Sequence, residues 1–255
     1  MRITCEHVSK NFGYGKTKFN ALEDINVETQ EHDFICIFGP NGCGKTTLLK
    51  IMAGILSPSS GNIHYSENNR SRSLVSLIFQ EQGLFPWLSV IDNICFNLEM
   101  QGLSKKERYK RAGEYLEKMD LVKFINYYPY QLSAGMKQKI GLIRGLLTDS
   151  PVLLIDEAYS SLDVYAKLIM QEDIYRIWNE YKRTVIQVTH DIEGALGVAR
   201  HIWVISKSPA RIIKIFNLTS LRGADRGEEN TSSYLVGIKN QITDIIKKEA
   251  QKTTV

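Results

Sequence analysis

The sequence has no long apolar run. No stretch of its 255 residues approaches the roughly 20 consecutive apolar residues that cross a bilayer. The opening letters MRITCEHVSK also lack the apolar segment of a secretory signal peptide. We therefore expect a soluble cytoplasmic chain, which reaches a membrane only where a partner holds it there.

Cysteine pairs and strong net charge are missing as well. Cys5, Cys36, Cys43 and Cys95 show neither CxxC spacing nor a histidine cluster, which predicts unpaired thiols in a reducing compartment. The net charge is only +4 and the basic residues are scattered, so we expect no nucleic-acid partner. With 43% hydrophobic and 24% charged residues, the composition indicates an ordinary globular protein of one large or two smaller domains.

Short apolar runs predict the strands of an α/β protein. Residues 2–9 and 21–29 alternate as half-buried strands do, and the runs DFICIFG, VLLIDE, TVIQVTH and HIWVIS predict buried strands. From residue 84 to about 147 the pattern becomes helical, including a helix with Ser104 as N-cap and Glu107 three residues later. We therefore expect a helical block inserted into a parallel α/β domain.

The C-terminal part carries a polar stretch followed by a helical pattern. RGADRGEENTSS predicts a linker, and an apolar stripe after it predicts a last helix. The stripe consists of Leu235, Ile238, Ile242, Ile245 and Ile246. Core packing is the favoured interpretation of this stripe, and a partner site is the alternative.

The run GPNGCGKTT matches the phosphate-loop pattern G-x-x-x-x-G-K-[ST] in full. A buried strand precedes it and a helix follows, which is the context that the pattern requires and which argues against a chance match. Glycines let the loop point its N–H groups at phosphate oxygens, Lys45 supplies a charge to the β- and γ-phosphates, and Thr46 is placed to ligate Mg²⁺. The predicted nucleotide-binding residues are Gly39, Pro40, Asn41, Gly42, Cys43, Gly44, Lys45, Thr46 and Thr47.

Four polar residues that follow apolar runs predict the catalytic half of the site. Asp156 closes VLLIDE and is expected to hold Mg²⁺ through water, while Glu157 is expected to act as the general base, because successive strand side chains point to opposite faces. His190 and Gln80 each follow another run; we expect His190 near the γ-phosphate, and Gln80 near the metal and the attacking water.

The run QLSAGMKQ predicts a second anion site. Ser133 and Gly135 stand where the chain enters a helix, whose N–H groups and positive dipole end favour an anion.

The ordered set of motifs resembles the ATP-binding cassette (ABC) family over essentially the whole chain. The motifs are GPNGCGKT, FQ, LSAGMKQ, LLIDE, SSLD and TH, in the family's order and approximate spacing. The resemblance implies an α/β fold with a P-loop NTPase (RecA-like) core, an antiparallel β subdomain and an inserted α-helical subdomain. It implies one cassette over 1–255, with its core at 1–83 and 148–220, its helical subdomain at 84–147, and a linker and helix at 221–255.

The resemblance also implies that two cassettes pair head to tail, as a homodimer or with a homologue. Ser133, Ala134, Gly135 and Met136 of one chain would then cap the ATP of the other, with Asp163 at the interface. ATP would close the pair and hydrolysis would reopen it. Phe12 is the aromatic expected to stack on adenine, with core packing or Tyr14 as alternatives. Ala134 departs from the family's usual glycine and is interpreted as a variant, because Gly135 remains.

The stretch GLFPWLSVIDNI resembles the part of importer ATPases that grips a membrane permease. Burial inside the helical block is an equal alternative for the residues concerned, which are Phe85, Pro86, Trp87 and Leu88. This stretch and SPARIIKIFNL most resemble the nitrate/sulfonate/taurine importer branch, with thiamine-precursor pyrimidine importers close. The implied partners are a permease and, indirectly, a solute-binding protein, at the cytoplasmic face of the membrane.

Two other function classes fit the sequence less well. ABC ATPases of translation need two tandem cassettes and those of DNA repair need a long coiled coil, and neither fits in 255 residues. A small-molecule kinase would share the phosphate loop but has no use for LSAGM or SSLD.

Overall fold

A computed structural model describes residues 1–13, 18–66, 74–79, 83–157, 163–221 and 228–252. Its strands are β1 (Ile3–Phe12), β2 (Phe19–Glu28), β3 (Phe34–Phe38), β4 (Ser60–Tyr65), β5 (Val75–Ile78), β6 (Val152–Asp156), β7 (Thr184–Val188), β8 (His201–Ile205) and β9 (Ile212–Asn217). Its α-helices are α1 (Lys45–Met52), α2 (Val90–Met100), α3 (Lys105–Lys118), α4 (Ala134–Leu146), α5 (Val164–Glu180), α6 (Ile192–Val198) and α7 (Glu228–Gln251). The chain forms two compact units, one of residues 1–68 with 183–255 and the other of residues 69–182.

The first unit contains two groups of strands. An antiparallel sheet has the order β2-β1-β4, and a second group has the order β7-β3-β8-β9, in which only β9 runs antiparallel to its neighbour. Every residue of β3 and β7 is buried, as expected for parallel strands covered on both faces. The buried parallel strands predicted from the sequence are therefore confirmed.

The C-terminal helix α7 belongs to the first unit, where it packs against α6 and β8. Ile242 is fully buried and Ile238 nearly so, which confirms core packing for these two residues of the stripe. Leu235, Ile245 and Ile246 are half-buried. The linker prediction is wrong for its second half, because α7 already begins at Glu228. A polar helical turn carries no apolar stripe, so hydrophobic periodicity does not detect it.

The second unit contains the helical block and the strand pair β5–β6. These strands are parallel, with Val75 opposite Val152, and α2, α3 and α4 lie between them in sequence. Ser104 caps α3 by accepting a hydrogen bond from the Glu107 N–H, as predicted. The α/β class, with its antiparallel sheet and inserted helices, is therefore confirmed.

The state of the cysteines and the lack of a membrane-spanning helix in the described part of the chain were both expected from the sequence. The four cysteines are free and buried, and burial raises the pKa of both Cys5 and Cys95 to about 12, so these two stay protonated at neutral pH. Within the described ranges, no helix is both long and apolar enough to cross a membrane.

Candidate active site

The phosphate loop joins β3 to α1 in the first unit, as the motif predicts. Gly42 and Gly44 have φ angles of 71° and 121°, which side chains rarely adopt. A Cβ on Gly39 would lie 2.7 Å from Ile205 Cγ1, so this position accepts only glycine without a shift of its surroundings. The loop therefore needs its glycines both for its curvature and for its packing.

The N-terminus of α1 fits an anion. Gly44 is the N-cap, no side chain in the described part of the chain caps the first turn, and that turn carries no acidic residue. Such a turn presents unsatisfied N–H groups and the positive end of the helix dipole. The first turn of α1 can therefore bind a phosphate group.

Lys45 is buried and folded over the loop. Its Nζ donates to the carbonyl oxygens of Gly39 and Pro40, both at 2.9 Å. These two bonds brace the loop, and they also place a positive charge where phosphate oxygens would enter. Thr46 lies in the same turn of α1 and is half-buried, as a hydroxyl that serves a bound cation would have to be.

His190 lies at the same sheet edge as the loop. β3 and β7 run parallel with Ile37 opposite Val188, and the Thr189 N–H donates to the Ile37 oxygen at 3.5 Å. Gly39 follows β3 directly and His190 follows β7 by two residues, so both lie beyond the carboxyl ends of neighbouring strands. This is the edge at which ligands bind in open α/β sheets. His190 is exposed there.

Phe12 is exposed at the end of β1, with 40% of its surface accessible. The alternative of core packing is therefore wrong for this residue. Its rival Tyr14 lies outside the described residues, as do Gln80 and residues 160–162 of the SSLD motif.

The acidic pair of the second unit has a geometry that the sequence did not predict. Asp156 is the last residue of β6 and is 4% exposed. Glu157 lies beyond the strand with a φ of 48°, so the predicted alternation of strand side chains does not apply to it. A left-handed turn, rather than the pleat of a strand, separates the two carboxylates. Oxygen donors such as the Asp156 carboxylate and the Thr46 hydroxyl are the ligand type that Mg²⁺ prefers.

The second predicted anion site is the N-terminus of α4. Ser133 is the N-cap and its hydroxyl accepts a hydrogen bond from the Met136 N–H at 3.3 Å. Ala134 is the first helical residue and is absent from the positive-φ residues of the described chain, so its Cβ causes no strain. A Cβ on Gly135 would meet nothing within 4 Å. Within the described residues, a side chain at this position would therefore have room.

Asp163 is held by two groups of its own unit. Its Oδ1 accepts a hydrogen bond from the Ala166 N–H at 2.9 Å, which caps α5, and its Oδ2 lies 3.6 Å from Lys139 Nζ on α4. The Ala166 N–H, assisted by the Lys139 ammonium, lowers the pKa of Asp163, so the carboxylate is charged at neutral pH. Lys139 was not predicted, because nothing in the sequence pairs it with a residue 24 positions away.

The segment Phe85, Pro86, Trp87 and Leu88 presents an apolar surface. Trp87 is 70% exposed, so burial inside the helical block is wrong for this residue. The fully buried Asn93 holds the segment: it accepts from the Phe85 N–H at 2.8 Å and donates to the Phe85 and Leu88 oxygens at 3.0 and 2.9 Å. Sequence reasoning missed Asn93, because a polar residue next to Asp92 near the start of a helix gives no signal that it is buried.

Comparison with known proteins gives a consistent result. The profile of the ABC transporter family matches residues 22–160. The chain is 37% identical to the nitrate import ATP-binding protein NrtD of Synechocystis over 75% of this chain and 73% of that protein. It is also 37% identical to the aliphatic sulfonates import ATP-binding protein SsuB of Bacillus cereus, over 84% of this chain and 85% of that protein.

A similar structure has also been solved. It is the dimeric ATP-binding cassette MJ0796 in a post-hydrolysis state, bound to ADP and Pi. The two folds agree with a TM-score of 0.77 at 27% identity, over 87% of this chain and 99% of that one.

Proposed function

The chain belongs to the ABC transporter family and is an ATP hydrolase of that family, and from this premise we propose that it is the ATPase subunit of an importer for small solutes. The observation that carries the proposal is the phosphate loop, whose glycines, buried lysine and uncapped helix suit a nucleoside triphosphate. The importer class and the solutes are taken from the names of the relatives, which are import ATP-binding proteins for nitrate and for aliphatic sulfonates. Taurine, itself a sulfonate, falls in the same chemical class.

We assign the nucleotide to residues 39–47, with Phe12 stacking on the base. Lys45 exchanges its carbonyl contacts for the β- and γ-phosphates, and His190 contacts the γ-phosphate from the neighbouring strand. Thr46, Asp156 and Gln80 are the residues assigned to Mg²⁺. When bound, Mg²⁺ neutralises charge on the phosphates. Glu157 accepts a proton from the attacking water as general base.

We assign the ATP-dependent step to a head-to-tail pair of cassettes. The open Cβ side of Gly135, in a first turn that carries no acidic residue, favours an anion that comes from another chain. In this arrangement residues 133–136 cap the partner's nucleotide, with Asp163 near the interface. We assign the core to residues 1–83 and 148–220, the helical subdomain to 84–147, and a linker and helix to 221–255.

We assign contact with the membrane permease to residues 85–88. An exposed tryptophan on a segment clamped by a buried asparagine is a surface that is both apolar and rigid, as a docking site requires. The chain would then work at the cytoplasmic face of the membrane, held by the permease, and a solute-binding protein would deliver the cargo on the other side.

The catalytic assignment is tested with Glu157→Gln in the full chain. We expect ATP to bind with unchanged affinity while turnover falls about 10²–10⁴-fold, the usual contribution of a general base. Glu172→Gln is the matched control, because Glu172 is exposed on α5. Near-normal hydrolysis by Glu157→Gln would contradict the assignment. Uptake of nitrate or a sulfonate by vesicles containing the permease then tests the importer.

A further inference from the structure

Two aromatic rings are exposed at the open end of the β1–β2 hairpin. Phe12 and Phe19 are cross-strand partners, 40% and 49% exposed. Partners in register point to the same face of a sheet, so both rings lie on one side of the hairpin. By contrast, Phe34, Phe38 and Trp203 in the same unit are almost completely buried. Packing in the hydrophobic core therefore does not explain why these two neighbouring rings are aromatic.

The strand that carries Phe19 rests on the phosphate loop. A Cβ on Gly44 would lie 2.9 Å from Leu22 Cδ2 and 3.0 Å from the Ala21 oxygen. Phe19 precedes Ala21 by two residues, which is about 7 Å along a strand. A ribose and one phosphate separate a base from a phosphate in this loop by a distance of that order. The position of Phe19 therefore suits a base better than it suits a phosphate.

A segment after β8 fixes this part of β2. The Ser208 hydroxyl donates to the Asn20 oxygen, the Ala210 N–H donates to the Ala21 oxygen and the Glu23 N–H donates to the Ala210 oxygen, each at 2.9 Å. These bonds hold the backbone on both sides of Ala21, so the Phe19 position is set before any ligand arrives. Such preorganisation lowers the entropy cost of binding.

The two rings differ in their surroundings. The Lys10 ammonium lies 5.3 Å from the centroid of the Phe12 ring and donates to the Ser57 oxygen, which braces this ring. Among the residues that the structure describes, no cation and no second ring contacts the ring of Phe19. With 49% of its surface exposed, the Phe19 side chain is accessible to a planar ligand.

We propose that Phe19 is a second base-stacking residue, which together with Phe12 forms an aromatic platform for the purine of the nucleotide. This inference rests on the proposed nucleotide site at residues 39–47. Stacking recognises the face of a base and not its hydrogen-bonding edge. The platform therefore contributes equally to the binding of ATP and GTP.

The test compares Phe19→Ala and Phe19→Leu with the unmodified full chain by calorimetric titration of ATP, GTP and inorganic tripolyphosphate. Leucine keeps apolar volume and removes the π face, so it separates stacking from folding. We expect Kd for ATP and for GTP to rise about five- to fiftyfold in both variants, as for the loss of one stacked ring. The Kd for tripolyphosphate should stay unchanged in both variants. Phe19→Trp keeps an aromatic face and should bind ATP as tightly as the unmodified chain.

The control is Ile215→Ala, which removes a similarly exposed apolar side chain from β9. We expect it to bind all three probes normally. An unchanged Kd for ATP in Phe19→Ala and Phe19→Leu would overturn the inference, and so would an equal loss of tripolyphosphate affinity. Failure of the unmodified chain to bind ATP would instead overturn the nucleotide site itself.

Discussion

Glu157 shows how a single residue is strained at a candidate catalytic position. Its φ of 48° is left-handed, a conformation that costs a residue other than glycine about 1–2 kcal/mol. β6 ends one residue earlier, so the chain turns directly after the buried Asp156. Such strain persists only where the surrounding structure enforces it, and it concentrates at functional sites. We infer that the turn aims the carboxylate away from the direction that a continued strand would give it.

The strain at Glu157 predicts a stability difference between two inactive variants. Glu157→Gly and Glu157→Ala both lose the carboxylate, but only glycine relieves the left-handed backbone. After the entropy cost of glycine is subtracted, we expect the glycine variant to unfold with a free energy about 0.5–1 kcal/mol higher than the alanine variant. Urea denaturation measures the difference. Equal or lower stability of the glycine variant would show that the turn is not strained.

The identity of the acidic pair could be read from the sequence, but its geometry could not. An apolar run that ends in Asp156 and Glu157 is a local pattern, and it correctly predicted a buried strand with an acid at its end. The left-handed turn at Glu157 depends on contacts made by the folded chain. The same distinction explains why Lys139 was missed as the ion partner of Asp163.

At the scale of single elements, the N-terminus of α4 combines a satisfied cap with an unexplained glycine. Ser133 stabilises the first turn, whereas Gly135 lies in a helical conformation with open space where its Cβ would be. An alanine there would favour the helix, because glycine is a poor helix former. The sequence therefore accepts a small loss of helix stability, and in the proposed pair the partner's nucleotide uses this space.

Gly135→Ala should separate stability from turnover. We expect the free energy of unfolding to stay the same or rise by up to about 1 kcal/mol, while ATPase turnover falls because a methyl group blocks the approach of the nucleotide. Gly113→Ala on α3 is the matched control, since its Cβ also meets nothing within 4 Å. It should give the same stability effect with normal turnover. Normal turnover in Gly135→Ala would contradict the role of the α4 N-terminus.

Asn93 is expected to control the shape of the 85–88 segment. Asn93→Ala leaves the Phe85 N–H and nearby carbonyl groups without their partner, which should lower the free energy of unfolding by about 1–3 kcal/mol. Co-purification with the permease should be lost while ATP binding is kept. Asn97→Ala is the control, because Asn97 lies one turn further along α2 and its side chain donates a long hydrogen bond of 3.4 Å to the Arg144 oxygen. Full co-purification by Asn93→Ala would contradict the clamp.

The elements that the sequence predicted well are those with local signals. β3, β6 and β7 match their apolar runs closely, because strands buried on both faces are apolar throughout. β1 and β2 extend beyond the predicted residues 2–9 and 21–29 towards the hairpin tip, where Phe12 and Phe19 are exposed and interrupt the burial pattern. Local hydrophobic patterns do not predict exposed aromatic residues such as these two, because their positions are explained by contacts that the local sequence does not encode.

At the scale of the whole molecule, each compact unit carries, among its described residues, a helix N-terminus that suits a phosphate. α1 begins at the phosphate loop, and α4 begins at Ala134, after the N-cap Ser133, with no acidic residue in its first turn. One nucleotide occupies the first in the proposed function. In the proposed pair of chains, the partner's nucleotide is the ligand of the second N-terminus, because each chain then completes the site of the other.

Mixing two inactive variants tests this pairing directly. Lys45→Ala should disable the phosphate loop, and Ser133→Arg should block the α4 N-terminus with a bulky cation. Consider a head-to-tail pair that contains one chain of each variant. The Ser133→Arg chain supplies an intact phosphate loop and the Lys45→Ala chain supplies an intact α4 N-terminus, so one complete site forms. We therefore expect the mixture to hydrolyse ATP faster than the sum of the two variants measured alone, with a rate that rises steeply with protein concentration.

Mixing Lys45→Ala with a chain that carries both substitutions leaves no intact loop and should give no such gain. If the first mixture also gives none, each chain uses its own α4 N-terminus or none, and the shared site is wrong.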